Sequence, residues 1–208
     1  MIDFPIATIV HRRIPKEAFY KHIPLAKVIK ERFISDVERV FVENSLTKDN
    51  LNLAVDAQIK EILVLSILLK RQEFDAKVIE VIARQNPHRL VFLLIYEGRY
   101  QLALYHSKLY RTPWIPNDEM QLRINGCSLD EIWNGLIEQI ALYEERAIAA
   151  ARFSIEERLA LQEEIVKLEK QIERTEAAAW REQQPKKQFE IYMRLQEYKK
   201  KMTELKKG

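Results

Sequence analysis

The stretch EILVLSILLKRQEFDAKVIEVIARQNPHRLVFLLIYEGRYQLALYH, Glu61 to His106, holds two apolar runs with a segment of helical period between them. That order decides the fold. From Ile62 to Leu69 nearly every residue is apolar, as in a strand covered on both faces. Phe74, Val78, Val81 and Ile82 then recur at helical spacing, and Asn86-Pro87 ends the helix. Arg89 to Tyr96 is a second apolar strand, and the helix between the runs makes the two strands parallel neighbours. Gly98-Arg99 reads as a two-residue turn, with glycine free to take a positive φ, and YQLALYH returns antiparallel.

Working outward, Pro5, Pro15 and Pro24 punctuate the first segment. They leave short helical pieces around KEAFYKH, Lys16 to His22, and a longer helix from Leu25 to about Asp36. VERVFVENSL, Val37 to Leu46, fits either a strand or the end of that helix, because its apolar period is ambiguous. LNLAVDA, Leu51 to Ala57, is expected as a short strand, and MQLRI, Met120 to Ile124, as another before the Asn125-Gly126 turn. Ser128 and Glu131 have the spacing of a capping box. The helix they open has Leu129, Ile132, Trp133, Leu136, Ile137 and Ile140 on one face, which should pack on the sheet. Ser154 and Glu157 repeat the cap. Beyond them Leu161, Ile165, Leu168 and Ile172 form one heptad seam, and after Pro185 Ile191, Leu195, Tyr198, Met202 and Leu205 form a second. The expected class is therefore α+β: a mixed β-sheet core with flanking helices and a βαβ-hairpin unit over residues 1–152. A C-terminal antiparallel helical hairpin, coiled-coil-like, follows over residues 153–208.

Composition narrows the possible functions. Lys and Arg exceed Asp and Glu by only 34 to 31, so net charge alone does not imply nucleic acid. The single cysteine, Cys127, excludes an internal disulfide and a cysteine zinc cluster. The opening MIDFPIATIVHRRIPKE has an apolar patch too short for a signal peptide, with basic residues after the patch rather than before it. The longest apolar run, Ile62 to Leu69, is far below a membrane span. A soluble cytoplasmic protein without membrane contact is the expectation.

Few side chains are arranged for chemistry. The four histidines, His11, His22, His88 and His106, are scattered without the i, i+4 spacing of a helical zinc site, so no metal is expected. Only four glycines occur and no phosphate-loop motif exists, so no nucleotide cofactor is expected either. Cys127 lies near a helix start, which could lower a thiol pKa, but no base accompanies it. The element order can be mapped onto nucleases of the PD-(D/E)xK type, in which an Asp and a Glu-x-Lys bind Mg²⁺. Asp56, Glu61 and Lys70 would be the catalytic set, although Leu68-Leu69-Lys70 lacks the carboxylate two residues before the lysine. The competing reading makes Lys70 a strand-end side chain with its stem on apolar surface and Asp56 a turn residue. The last helix carries Lys186, Lys187, Arg194, Lys199, Lys200 and Lys201, with Tyr192 and Tyr198 as stacking surfaces. A second basic group includes His11, Arg12, Arg13, Lys16, Lys21, Lys27, Lys30 and Arg32. Either group is a phosphate-contacting surface or a solvated face with i, i+4 ion pairs.

RRIPKEAFYKH, LNLAVDAQIKEILVLSILLK and NPHRLVFLLIYEGRYQLALYHSKLY resemble successive blocks of a bacterial family, domain of unknown function 4391. The likeness runs from about Ile14 to Tyr143 and leaves the heptad-rich tail outside it. It implies a prokaryotic cytoplasmic protein whose relatives are often encoded beside helicases and DNA methyltransferases, and it brings no catalytic residues. The expected function is a noncatalytic accessory subunit of a DNA-directed complex of the anti-phage defence kind. It would dock a larger protein, such as a helicase or methyltransferase subunit, through Trp180, Phe189 and Tyr192 on the helical appendage. A second copy of the chain is a further candidate partner. The alternatives are a divergent Mg²⁺-dependent nuclease and a stand-alone, nonspecific nucleic-acid-binding module.

Overall fold

The computed structural model describes residues 2–18, 25–143 and 154–205. Lys21, His22 and the expected boundary at residue 152 lie outside the described residues. Contacts divide the chain into two compact units, Met1–Arg146 and Ala147–Gly208.

In the first unit nine strands occur among the described residues: β1 (Ile2–Asp3), β2 (Ile9–Ile14), β3 (Val37–Thr47), β4 (Glu61–Leu69), β5 (Arg89–Tyr96), β6 (Arg99–His106), β7 (Lys108–Arg111), β8 (Ile115–Pro116) and β9 (Leu122–Arg123). Helices α1 (Lys27–Asp36), α2 (Lys77–Gln85) and α3 (Leu129–Ala141) accompany them, with a 3-10 turn at Ile6–Thr8 and helical residues 16–18 at the start of the piece expected around KEAFYKH. The main sheet runs β2-β3-β4-β5-β6-β7, with β8 also on β6, while β1 and β9 form a separate parallel pair. β4 is central as its nearly continuous apolar run requires, antiparallel to β3 and parallel to β5 across α2. Phe33 of α1 and Val78, Ile79 and Ile82 of α2 are buried against Val40, Val42, Leu65, Ile67, Phe92 and Leu94, which fills one sheet face. The buried side of α3 joins no part of that cluster and contacts β4, β6 and β7, so it covers part of the other face.

The ambiguous Val37–Leu46 stretch is a strand throughout, because α1 stops at Asp36 and Val37 is already extended. Four expectations need correction. Leu51–Ala57 forms no ladder and is a loop. The hairpin turn is Glu97-Gly98, not Gly98-Arg99: Tyr96 pairs with Arg99, and both turn residues have positive φ, 44° and 74°, as a primed turn demands. MQLRI supplies only the two residues of β9. Ser128 does cap α3, but Glu131 reaches past it to accept from the amide of Cys127 at 2.7 Å, so the reciprocal bond of a capping box is missing.

The loop before β4 is fixed by chemistry rather than by strand pairing. The carboxylate of Asp130, in the first turn of α3, accepts from the amides of Ile59 at 3.0 Å and Gln58 at 2.9 Å. Those two bonds hold its carboxyl below the usual range. A depressed carboxyl contributes stability that is present above the ordinary value near 4 and is lost as pH falls through the folded value. Asp130→Ala is therefore expected to cost about 1 kcal/mol at neutral pH and to flatten the acid side of the stability curve. Urea titrations at neutral pH and near pH 3 check both effects.

In the second unit α4 (Ile155–Arg181) and α5 (Pro185–Leu205) pack together. Ser154 and Glu157 form a full capping box at the start of α4. No described helix is long and apolar enough to cross a membrane.

Candidate functional site

The α4/α5 hairpin is built from its seams upward. Ile165 and Leu168 of α4 and Met202 of α5 are buried together, and Leu161, Ile172, Tyr198 and Leu205 pack around them. Burying each such side chain contributes about 1.5–3 kcal/mol, which holds together a unit with little other core. Lys201 pairs with Glu164 at 2.7 Å and Lys199 with Glu176 at 2.6 Å, and Gln188 donates to the carbonyl of Ala179 at 3.1 Å. Lys201 late in α5 thus meets Glu164 early in α4, and Gln188 early in α5 meets Ala179 late in α4, so the pair is antiparallel. Glu176 raises the Lys199 ammonium above its usual value.

The closed end of the hairpin keeps the aromatic residues outside the seam. Trp180 is 89% exposed, Phe189 67% and Tyr192 54%, with Met193 alongside at 51%. Such exposure is unusual for side chains of this size, which dominate interface energetics when covered. Trp180 and Tyr192 line one groove of about 440 Å³, with Ala179, Leu195, Gln188, Glu176 and Lys199 around it. Phe189, Tyr192 and Met193 stand at i, i+3 and i+4, so they share a neighbouring stripe of α5. Of the basic residues, Lys186, Lys187, Arg194 and Lys200 are exposed, whereas Lys199 and Lys201 are engaged across the hairpin. Surface pairs of this kind contribute little, so they leave both side chains only loosely committed.

The proposed nuclease residues do not converge. Glu61 opens β4 and Lys70 follows its end, so about 30 Å of extended chain separates them. Lys70 donates from its ammonium to the carbonyl of Ile34 at 3.1 Å, and Lys16 to that of Val37 at 2.6 Å. Both satisfy carbonyls at the C-terminal end of α1, where cations are favoured. Burial and the neighbouring Lys70 lower the Lys16 ammonium from its usual value. Glu61 accepts from Ser45 at 2.5 Å and lies 3.2 Å from His88. Asp56 is a largely exposed loop residue paired with Lys48 at 2.7 Å, which holds its carboxyl low. Among the described residues no group of three His, Cys, Asp or Glu side chains is placed to hold a metal ion. Purified chain with Mg²⁺ or Mn²⁺ is expected to leave DNA and RNA uncut. Metal-dependent cleavage that disappears in Lys70→Ala would reinstate the enzyme reading.

One polar cluster escaped the sequence reading. His11 Nδ1 lies 2.7 Å from Glu43 Oε2, and Ser66 donates to Oε1 of the same carboxylate. The three residues come from β2, β3 and β4, so no sequence spacing announces them. The signal that could have found them is polarity out of place: Ser66 is the one polar residue within the apolar run of β4.

The chain belongs to the family described as domain of unknown function 4391 (DUF4391), whose model matches residues 2–202. Most of the described hairpin therefore lies within the family's domain, which corrects the expectation that the tail falls outside it. No curated protein and no solved structure matches the chain.

Proposed function

We propose that this member of the family is a noncatalytic accessory subunit of a prokaryotic DNA-directed complex, docking a larger protein through the closed end of its helical hairpin. The observation that carries the reading is the placement of Trp180, Phe189, Tyr192 and Met193 on the outside of a hairpin whose seam is already satisfied. The helices do not need these side chains to stay together, and exposed Trp and Tyr beside a groove are the residue types that most often dominate an interface. The partner follows from the family resemblance, which points to a helicase or DNA methyltransferase encoded beside the gene. An anti-phage role, a cytoplasmic location and contact with phosphates through Lys186, Lys187, Arg194 and Lys200 belong to the same reading.

The test is affinity capture of the full chain from its native host, read by mass spectrometry with and without nuclease treatment. The same helicase or methyltransferase subunit should be retained under both conditions. Loss of that subunit on nuclease treatment would mean the association is bridged by nucleic acid.

A further inference from the structure

His11 sits where two ladders slip. Between β2 and β3 the register shifts between Ile9 and Arg12, and between β3 and β4 it shifts between Val42 and Asn44. Bulges of this kind re-aim side chains. Here they bring His11 and Glu43 onto the sheet face that carries Ser66, with the His11 backbone at φ 41°, in the left-handed region that few non-glycine residues adopt. The His11 ring stacks on Phe41 at a centroid distance of 5.5 Å and an interplanar angle of 12°. Ser66 is 1% exposed, so its bond anchors Glu43 from within the core. Stacking and the carboxylate together fix the imidazole, and in its neutral form with Nδ1–H donated to Glu43 the outer Nε2 is an acceptor.

His11 lines a cavity of about 340 Å³, large enough for a small ligand. Phe4, Leu93 and Met120 give it flat and apolar walls, and Asn117 gives it a donor and acceptor pair. Arg13 is the cross-strand partner of Phe41, which places it on the same sheet face as the stacked histidine. Arg13 and Arg39 both line a second cavity, of about 370 Å³, at the β2 edge of the sheet. Of the nearby carboxylates, Glu43 is engaged by His11 and Ser66 and Glu38 by Arg39 at 3.3 Å, while Glu17 lines the Arg13 cavity together with Lys16.

We propose that this face binds a nucleotide unit. The base would lie against Phe4, Leu93 and Met120 with its edge on Asn117, the phosphate would meet Arg13, and a sugar hydroxyl would donate to His11 Nε2. A ligand needs a planar body, a hydrogen-bonding edge, a hydroxyl and an anion to satisfy these groups together, and a nucleotide has all four. Glu43 and Ser66 are positioning residues that act through His11. The site uses none of the hairpin residues and is independent of the docking reading.

Calorimetric titration of the full chain tests it, with AMP and UMP in one arm and a short single-stranded oligouridylate in the other. Submillimolar binding in either arm is expected, the first identifying a free nucleotide and the second an unpaired nucleotide of a strand. His11→Asn, which keeps a residue tolerant of the left-handed backbone, and Arg13→Ala should each weaken binding about tenfold. Lys77→Ala, exposed at the start of α2 on the other sheet face, should not. Glu43→Gln should weaken binding and also move the His11 ring nitrogen signals in ¹⁵N NMR away from the Nδ1–H tautomer, a change that a merely structural role would not produce. Absence of binding in both arms, or affinity unchanged in His11→Asn and Arg13→Ala, overturns the proposal.

Discussion

Leu168→Asp is expected to dissolve the helical unit while leaving the sheet unit folded. Leu168 is 4% exposed and sits with Ile165 and Met202 in a core whose remaining members are only partly covered. The substitution removes about 2–3 kcal/mol of burial and puts a carboxylate where no donor waits, so the total cost exceeds about 4 kcal/mol. This cluster joins the two helices, and helices without tertiary packing are marginal in water. α4 and α5 contain 27 and 21 residues against 10, 9 and 13 in α1, α2 and α3. A large part of the helical circular dichroism should therefore disappear, and trypsin should cut freely between residues 154 and 205. Leu168→Ala, with a smaller cost of about 3 kcal/mol, should weaken the unit in the same direction. Full helicity in Leu168→Asp would mean the seam does not hold the hairpin.

Asp36→Ala should be the most damaging polar substitution in the first unit, at about 2 kcal/mol. The side chain is 5% exposed at the point where α1 passes into β3. It accepts from Ser35 at 2.6 Å and from the Arg71 guanidinium, whose Nε lies at 2.8 Å, while its backbone carbonyl accepts from the amide of Lys70 at 2.8 Å. Arg32 and Asp75 pair beside it. Burial by itself would raise the Asp36 carboxyl, but the bonds from Ser35, Arg71 and the Asp75 amide outweigh it and hold the group below its usual range. A fully buried pair broken on one side costs about 3–5 kcal/mol. Arg71 is half exposed, so water can solvate it once Asp36 is gone, which sets the lower figure. Because the folded carboxyl is depressed, this contribution is intact above about pH 4 and vanishes as pH drops through the folded value. Thermal melts of wild type and Asp36→Ala should converge in acid and differ most at neutral pH.

The parts of the fold legible in the sequence were those with strong local patterns. The nearly continuous apolar run of β4 and the helical period of α2 marked the parallel pair, and the heptads marked both helices of the second unit. Turns and caps were legible only to within a residue, because Glu97 takes a left-handed φ that favours glycine or asparagine and Glu131 bonds to the amide before its expected partner. Trp180 and Tyr192 were legible as outliers from a heptad, and the structure seats them on one groove. His11, Glu43 and Ser66 were not legible, since bulges on two ladders create their meeting and no spacing rule encodes a bulge. Lys70 misled for a related reason: sequence shows a lysine after a strand but not the end of α1 that it caps.

The most direct measurement of the docking reading is the affinity of the purified chain for the captured helicase or methyltransferase subunit, compared with that of Trp180→Ala/Tyr192→Ala. Both side chains are more than half exposed and absent from the seam, so the double variant should keep its circular dichroism spectrum. Two central aromatic anchors at about 2 kcal/mol each predict affinity weakened at least 100-fold. Unchanged affinity in a folded double variant would contradict docking through the hairpin.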